Sequence, residues 1–183
     1  MVLHYKYCPQ CGSKLGEKLD PEEGMIPYCE SCGRMWFDSY ESAAIVLVAN
    51  EYNEVCMTLQ PHLTRVHYVF TSGYIAPGET AEHCAVREIK EELDLEVNKL
   101  ENLGTYWFKR GGMLMHAFIA HVNKKEFTCS DEVETAIWVD VKKAAELMGP
   151  VRPGCADFFM MAEFVERNGL CTAEDLWPGQ VIE

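Results

Sequence analysis

Two groups of residues in this sequence have types and spacings suited to chemistry. The first is a run of carboxylates, Glu79, Glu82, Glu88, Glu91, Glu92 and Glu96, in "SGYIAPGETAEHCAVREIKEELDLEV" (residues 72–97), with a single arginine, Arg87, beside three of them. Glu88, Glu91 and Glu92 stand at i, i+3 and i+4, so a helix would carry all three on one side. Carboxylates grouped this way raise one another's pKa unless something cationic compensates them. Hard, oxygen-seeking divalent ions such as Mg2+ or Mn2+ are the natural compensation. The bland reading is a solvated helix face, and for a generic run of glutamates it would be preferred.

The second group is Cys8, Cys11, Cys29 and Cys32 in "YCPQCGSKL" and "YCESCGRMWF": C-x2-C, seventeen residues, C-x2-C. Two such turns give four thiolates and no open position, which is the ligand set of a structural Zn2+ site rather than a catalytic one. Gly12 and Gly33 follow the second cysteine of each pair and suit a tight knuckle. Free core thiols, two disulfides or a thioredoxin-like redox pair are the alternatives. No βαβ pattern surrounds either pair, and the chain reads as cytoplasmic, which disfavours disulfides. Cys56, Cys84, Cys129, Cys155 and Cys171 are scattered among apolar neighbours and read as reduced core thiols.

The elements that must position these groups follow from hydrophobic pattern. "AAIVLVAN", "EVCMTLQ" and "HYVFTSG" are apolar or β-branched enough for strands, the first two joined across Glu51, Tyr52 and Asn53. A loop shaped by Gly73, Pro77 and Gly78 leads to a helix from Thr80, a suitable N-cap, to about Leu93. Val86, Ile89 and Leu93 are expected on its apolar stripe, with Ala85 adjoining. Strands are expected over 100–107, 114–122 and 135–139, then helices in "VKKAAELM" and "CADFFMMAEFVER", the latter stopped by Asn168 and Gly169. Phe158, Met161, Ala162 and Val165 read as core. Strands and helices interleave, so the class is α/β with a mixed sheet, preceded by a small ribbon. The expected division is residues 1–40 for the ribbon and 41–183 for the main domain.

With 183 residues the chain can build one substantial core and a small appendage. Its longest apolar run, residues 43–49, is too short to cross a bilayer, and the start of the sequence lacks the apolar stretch of a signal peptide. No membrane partner is expected. A net charge of −13 argues against broad nucleic-acid binding, which needs Lys and Arg to neutralise phosphates. Within the ribbon Lys6, Lys14, Lys18 and Arg34 face six acidic residues, so a scaffold or homodimer-forming role suits it better than nucleic acid. His116 and His121, five apart in a strand, point to opposite faces and cannot pair as ligands.

Written out, the glutamate segment is Gly73, five residues, Glu79, seven residues, then "REIKEELDL". This resembles the Nudix box, G-x5-E-x7-R-E-U-x-E-E-x-G-U with U apolar, at every defined position except Asp94, where the family has glycine. Asp tolerates the left-handed backbone that would end the helix there. With the ribbon and the downstream region, the chain is similar to the zinc-ribbon Nudix hydrolases, the branch of the NADH pyrophosphatases, from Cys8 to about Asn168. The resemblance implies an α/β/α sandwich and Mg2+- or Mn2+-dependent hydrolysis of a pyrophosphate linked to a nucleoside. The substrate so implied is a small nucleoside diphosphate derivative such as NADH, NAD+ or ADP-ribose.

Carried over, Glu88, Glu91 and Glu92 become metal ligands and Arg87 their orienting partner. Glu79 becomes an auxiliary group, and the Ser72 carbonyl a further ligand. "SDEVETAIWVD" matches the segment from which family members supply another glutamate, giving Glu132, with Glu134 as runner-up. Glu88 or Glu132 would be the base. The NADH pyrophosphatases carry a proline-rich S-Q-P-W-P-F-P-x-S array after the box. Here "GTYWFKRGGMLM" keeps Trp107 and Phe108, the substrate-binding candidates, and none of the prolines. A nucleotide or nucleotide-sugar sensor on the same fold is the alternative function.

Overall fold

The computed structural model describes residues 3–152 and 154–182; residues 1 and 183, the outer ends of the two expected domains, lie outside the described residues. The chain divides into two compact units. One holds the residues up to Glu41 with Gly111–Met113, the other Ser42–Arg110 and the residues from Leu114 onward.

In the first unit β1 (Gly16–Asp20), β2 (Gly24–Cys29) and β3 (Arg34–Met35) form a three-stranded antiparallel sheet. The turn between β1 and β2 is tied by the Asp20 carboxylate, which accepts from the Glu22 and Glu23 amides at 2.9 and 3.0 Å. No apolar alternation announces these strands, because Leu19 and Met25, paired across the hairpin, are both exposed. What holds them is the cysteine turns: Gly12 N donates to Cys8 O and Gly33 N to Cys29 O, both at 2.8 Å, with φ of 75° and 63° at the two glycines. Positive φ there is open to glycine at little cost.

The second unit is built on a six-stranded sheet of β4 (Glu41–Ala49), β5 (Val55–Leu59), β6 (Thr71–Tyr74), β7 (Val97–Phe108), β8 (Met113–Val122) and β9 (Thr135–Val139). Its order is β7-β8-β4-β5-β9, with β6 also on β4. β4 pairs antiparallel with β5 and β6, and β5 with β9. Residues 43–49 of β4 are all buried, so both faces of the sheet are covered there, as the unbroken apolar run requires. One face, through Ala44, Val46, Val48, Phe118 and Ala120, packs against α1 (Ala81–Leu93) through Ala85, Ile89 and Leu93. Helices α2 (Val141–Met148) and α3 (Ala156–Arg167) bury their own apolar residues outside that cluster, followed by a short α4 (Ala173–Leu176).

Several expectations need correction. Val86 is 41% exposed; at about 100° per residue the buried face of α1 centres on Ala85, Ile89 and Glu92, and Val86 falls at its margin. The strand expected from "HYVFTSG" is confined to β6, and Val69 makes only an isolated bridge to Thr58. Gly73 lies inside β6, opposite Ala44, rather than shaping the following loop. Cys129 is exposed, and Cys155 and Cys171 are only half-buried, so core thiols are confined to Cys56 and Cys84; Ala162 is half-buried, and Phe164 takes the core position beside Val165. His116 and His121 do not meet: they bond Ser42 Oγ at 3.1 Å and Glu101 Oε1 at 2.7 Å respectively.

Candidate functional site

Thr80 starts α1 with extended backbone (φ −88°, ψ 161°), and its hydroxyl accepts from the His83 amide at 3.2 Å. Asp94 ends it in left-handed backbone (φ 54°, ψ 36°), its amide bonding Lys90 O. Between these stops the three box glutamates differ in burial because they differ in angle from the buried stripe. Glu92 lies within the stripe and is 4% exposed, Glu88 sits half-buried at its edge, and Glu91 faces solvent.

Arg87 ties the cluster together. Its Nε and Nη2 make a two-pronged contact to Glu79 at 2.7 and 2.9 Å, and Nη1 donates to Glu88 at 2.6 Å and Glu91 at 2.9 Å. Nη2 also reaches Tyr74 O at 3.1 Å. Glu79, Glu88 and Glu91 are therefore engaged at once, which a planar guanidinium with five donors allows. Arg87 holds Glu79 down at about 2, helped by the Ala76 amide, and Glu79 in turn raises Arg87.

Glu88 and Glu92 move the other way. Burial is the main cause of the rise in Glu88, which Arg87 opposes, and burial followed by the Glu88 charge pushes Glu92 up to about 7. The charge of Glu132 adds to both. Glu132 is exposed at a hollow of about 400 Å3 that it lines with Pro61, His62 and Asp131. The runner-up Glu134 is also exposed, and its amide is committed to Leu59 O. Gly73 has a clear reason for being glycine: a Cβ there would stand 1.9 Å from Glu88 Cδ. The strand backbone and the Glu88 carboxylate occupy adjoining space. Ser72 sits next to it in β6, opposite Ile45.

Two neighbours of Glu92 carried no signal in the sequence. Gln60, just beyond β5, is wholly buried and donates from Nε2 to Glu92 Oε2 at 2.9 Å. Thr71 is also buried near Glu92, and its hydroxyl makes no hydrogen bond among the described residues. A lone glutamine or threonine at a strand end has no spacing to mark it.

The carboxylate set fits a hard divalent cation by its chemistry: oxygen donors only, two of them raised by burial with the neighbouring carboxylate charges adding to the rise. The glutamates nevertheless face Arg87 and Gln60. Among the described residues, the group of three or more metal-ligating side chains within 4.8 Å of one another is the cysteine quartet. Its sulfurs fit Zn2+ well. Cys8 and Cys32 are 4.0 Å apart and Cys11 and Cys29 3.6 Å, while metal–sulfur bonds of about 2.3 Å in a tetrahedron place sulfurs about 3.8 Å apart. All four are free thiols. Ser13 holds Cys11 down at about 6, and the nearby Cys11 pushes Cys32 up to about 12. Four thiols crowded this way do not ionise together without a cation.

Trp107 and Phe108 are adjacent on β7 and so project to opposite faces of the sheet. Trp107 is 43% exposed and Phe108 half-buried. Tyr106 packs on Phe159 of α3 with ring centres 5.0 Å apart.

A sheet covered on both faces, with a capped helix presenting a glutamate–arginine cluster after a glycine-bearing strand, defines the Nudix fold. The NUDIX domain matches residues 39–159, and the chain belongs to that family. Among solved structures it is similar to a NUDIX hydrolase from Nitrosomonas europaea, with a TM-score of 0.69 at 15% identity over 92% of this chain and 95% of that one. Among curated proteins it is 28% identical over 176 residues to the NAD-capped RNA hydrolase NudC of Pseudomonas fluorescens, covering 96% of this chain. It is 30% identical over 140 residues to the NAD-capped RNA hydrolase ndx-9 of Caenorhabditis elegans, covering 73% of this chain. The chain spans 61% of the first relative's length and 36% of the second's. Nudix enzymes use divalent metals and act on nucleotide derivatives. Among the described residues no helix is long and apolar enough to cross a membrane.

Proposed function

We propose that this chain is a Mg2+- or Mn2+-dependent pyrophosphohydrolase that cleaves the diphosphate linking a nucleoside to another moiety, acting in the cytoplasm. The observation that carries this reading is the Arg87-centred cluster, in which Glu88 and Glu91 share one guanidinium while burial raises both half-buried Glu88 and buried Glu92, the charge of Glu88 adding to the rise in Glu92. Glu88, Glu91 and Glu92 would hold the cation, with Glu132 and the Ser72 carbonyl as further ligands. Bound there, it would neutralise diphosphate oxygens and lower the pKa of a water. Arg87 keeps Glu79, Glu88 and Glu91 in fixed relation. Glu132 is the better base of the two candidates, since it carries no hydrogen bond among the described residues while Glu88 is occupied by Arg87. Cys8, Cys11, Cys29 and Cys32 would hold a structural Zn2+, making the first 40 residues a ribbon and the remainder the Nudix domain.

The relatives' names support an NAD-type diphosphate, and the net charge of −13 favours a small dinucleotide over a long RNA strand. Exposed Trp107 is the better stacking candidate for a base, because Phe108 projects from the other face. The test is release of nucleoside monophosphate from NADH, NAD+, ADP-ribose and a 5′-NAD RNA oligonucleotide with Mg2+ or Mn2+. Glu88→Gln and Glu92→Gln should each lower turnover by about 10²–10⁴ while melting as folded proteins, and Glu96→Gln should change little. Near-wild-type turnover in both box variants removes the box glutamates from the chemistry, and no release from any of these substrates by the wild type favours a nucleotide sensor.

A further inference from the structure

The Gln60 carboxamide is oriented without ambiguity. Thr58 Oγ1 gives its proton to Val69 O at 3.0 Å and so can only accept from Gln60, which approaches at 3.3 Å. The other neighbour, the Glu92 carboxylate, also accepts when ionised. Both contacts therefore require N–H groups, and the two protons of Nε2 supply them. The amide plane is locked by a strand residue on one side, and it fixes one oxygen of Glu92 on the other.

The remaining end of the amide argues against a purely architectural role. Gln60 Oε1 is buried and has no hydrogen-bond partner among the described residues. A methionine or leucine would fill the same volume without a lone polar atom, and a side chain kept only to complete the core would be apolar. What an apolar residue cannot supply is the pair of donors, one held by Thr58 and the other aimed at Glu92. Gln60 also follows β5 directly, and β5 is paired over its whole length with β9 from Val55↔Val139 to Leu59↔Thr135. The anchor point of the amide is thus as rigid as the sheet.

We infer that Gln60 is a positioning residue for the box: through Thr58, Gln60 and Glu92 the sheet sets the orientation of the innermost carboxylate and thereby the cation affinity of the helix. This rests on the reading of Glu92 as a cation ligand. Partners that orient a ligating group commonly matter 10–100-fold in metal affinity.

The test is a double-mutant cycle of Gln60→Met and Glu92→Gln on the full chain. Mn2+ affinity is read by electron paramagnetic resonance of free Mn2+, kcat and KM on the identified substrate, and folding by thermal melts. Gln60→Met should weaken Mn2+ by about 10-fold or more and lower kcat with KM little changed. The double variant should bind Mn2+ no worse than Glu92→Gln alone, because Gln60 acts through Glu92. Where Gln60→Met melts below the assay temperature, Gln60→Asn, which keeps the amide but withdraws it by one methylene, takes its place in the cycle. Unchanged Mn2+ affinity in a folded Gln60 variant, or effects that add in the double variant, overturns the positioning role and leaves the hydrolase reading standing. A wild-type protein that binds no Mn2+ overturns both.

Discussion

Strand β6 and the box residues of α1 are packed so closely that single atoms matter. Gly73 is the clearest case: its place in the motif was visible, but the reason, the 1.9 Å approach of Glu88 to where a Cβ would be, required the fold. Because the clash is with the far end of a flexible side chain, Gly73→Ala should leave the melting temperature within a few degrees of wild type yet displace Glu88. Turnover and Mn2+ affinity should fall by about 10–100-fold; unchanged affinity would show that Glu88 does not need its present position. Asp94 gives a pH signature of its own. Lys90, then Lys125, hold its carboxyl down at about 2, with contacts of 2.6 and 3.0 Å. A carboxyl depressed on folding contributes stability above its unfolded pKa and loses it as pH falls through the folded value. The melting difference between wild type and Asp94→Asn should therefore be full near pH 5 and close between pH 3.8 and about 2. A difference that stays constant over that range would mean the ion pairs do not hold in solution. Gln60 and Thr71 were illegible because burial, not spacing, gives them their neighbours.

Elements were read best where a single mechanism dictates them. α1 was marked at both ends by chemistry, a hydroxyl cap at Thr80 and a left-handed stop at Asp94, and α2 and β9 match their expected ranges, α2 through the helical spacing of Ala144, Ala145 and Met148 and β9 through its β-branched and aromatic residues. β1 and β2 escaped notice because the ribbon has almost no interior, so its strands carry no alternation to read. The stripe of α1 was misplaced by one position because a glutamate occupies its centre, and a hydrophobic pattern search passes over a buried carboxylate. The cap can be tested by itself. Thr80→Ala removes the hydroxyl that accepts from the His83 amide and should cost about 1 kcal/mol by denaturant unfolding. Thr80→Ser should recover most of it, and a full-strength helix in the Ala variant would assign the start of α1 to packing alone.

At the level of the whole molecule the two units have different sources of stability. The first buries little beyond Cys8 and Cys29 and should depend on its metal, whereas the second has a core around β4 and α1. Chelation should abolish amide protection in residues 16–35 while leaving 81–93 protected in hydrogen exchange. Protein prepared without chelator should carry about one zinc per chain, and less than half an equivalent would count heavily against the cysteine site. The position of β4 has a further consequence, which concerns time. Ser42 at the start of β4 bonds Leu114 O and His116 across 72 and 74 residues of chain, and α1 with all its box glutamates lies inside that loop. Closing so long a loop before its contacts repay the entropy makes for slow folding. The site draws Gln60 from inside that loop and Glu132 from beyond it, so it is expected to be complete only once the sheet has closed, and a cation that prefers the finished site arrives after the barrier has been crossed. Mn2+ should then leave the refolding rate almost unchanged and slow unfolding instead, a split that stopped-flow experiments with and without the ion would read directly. A chain that refolds faster with Mn2+ would place the assembly of the glutamates before the closure of the sheet.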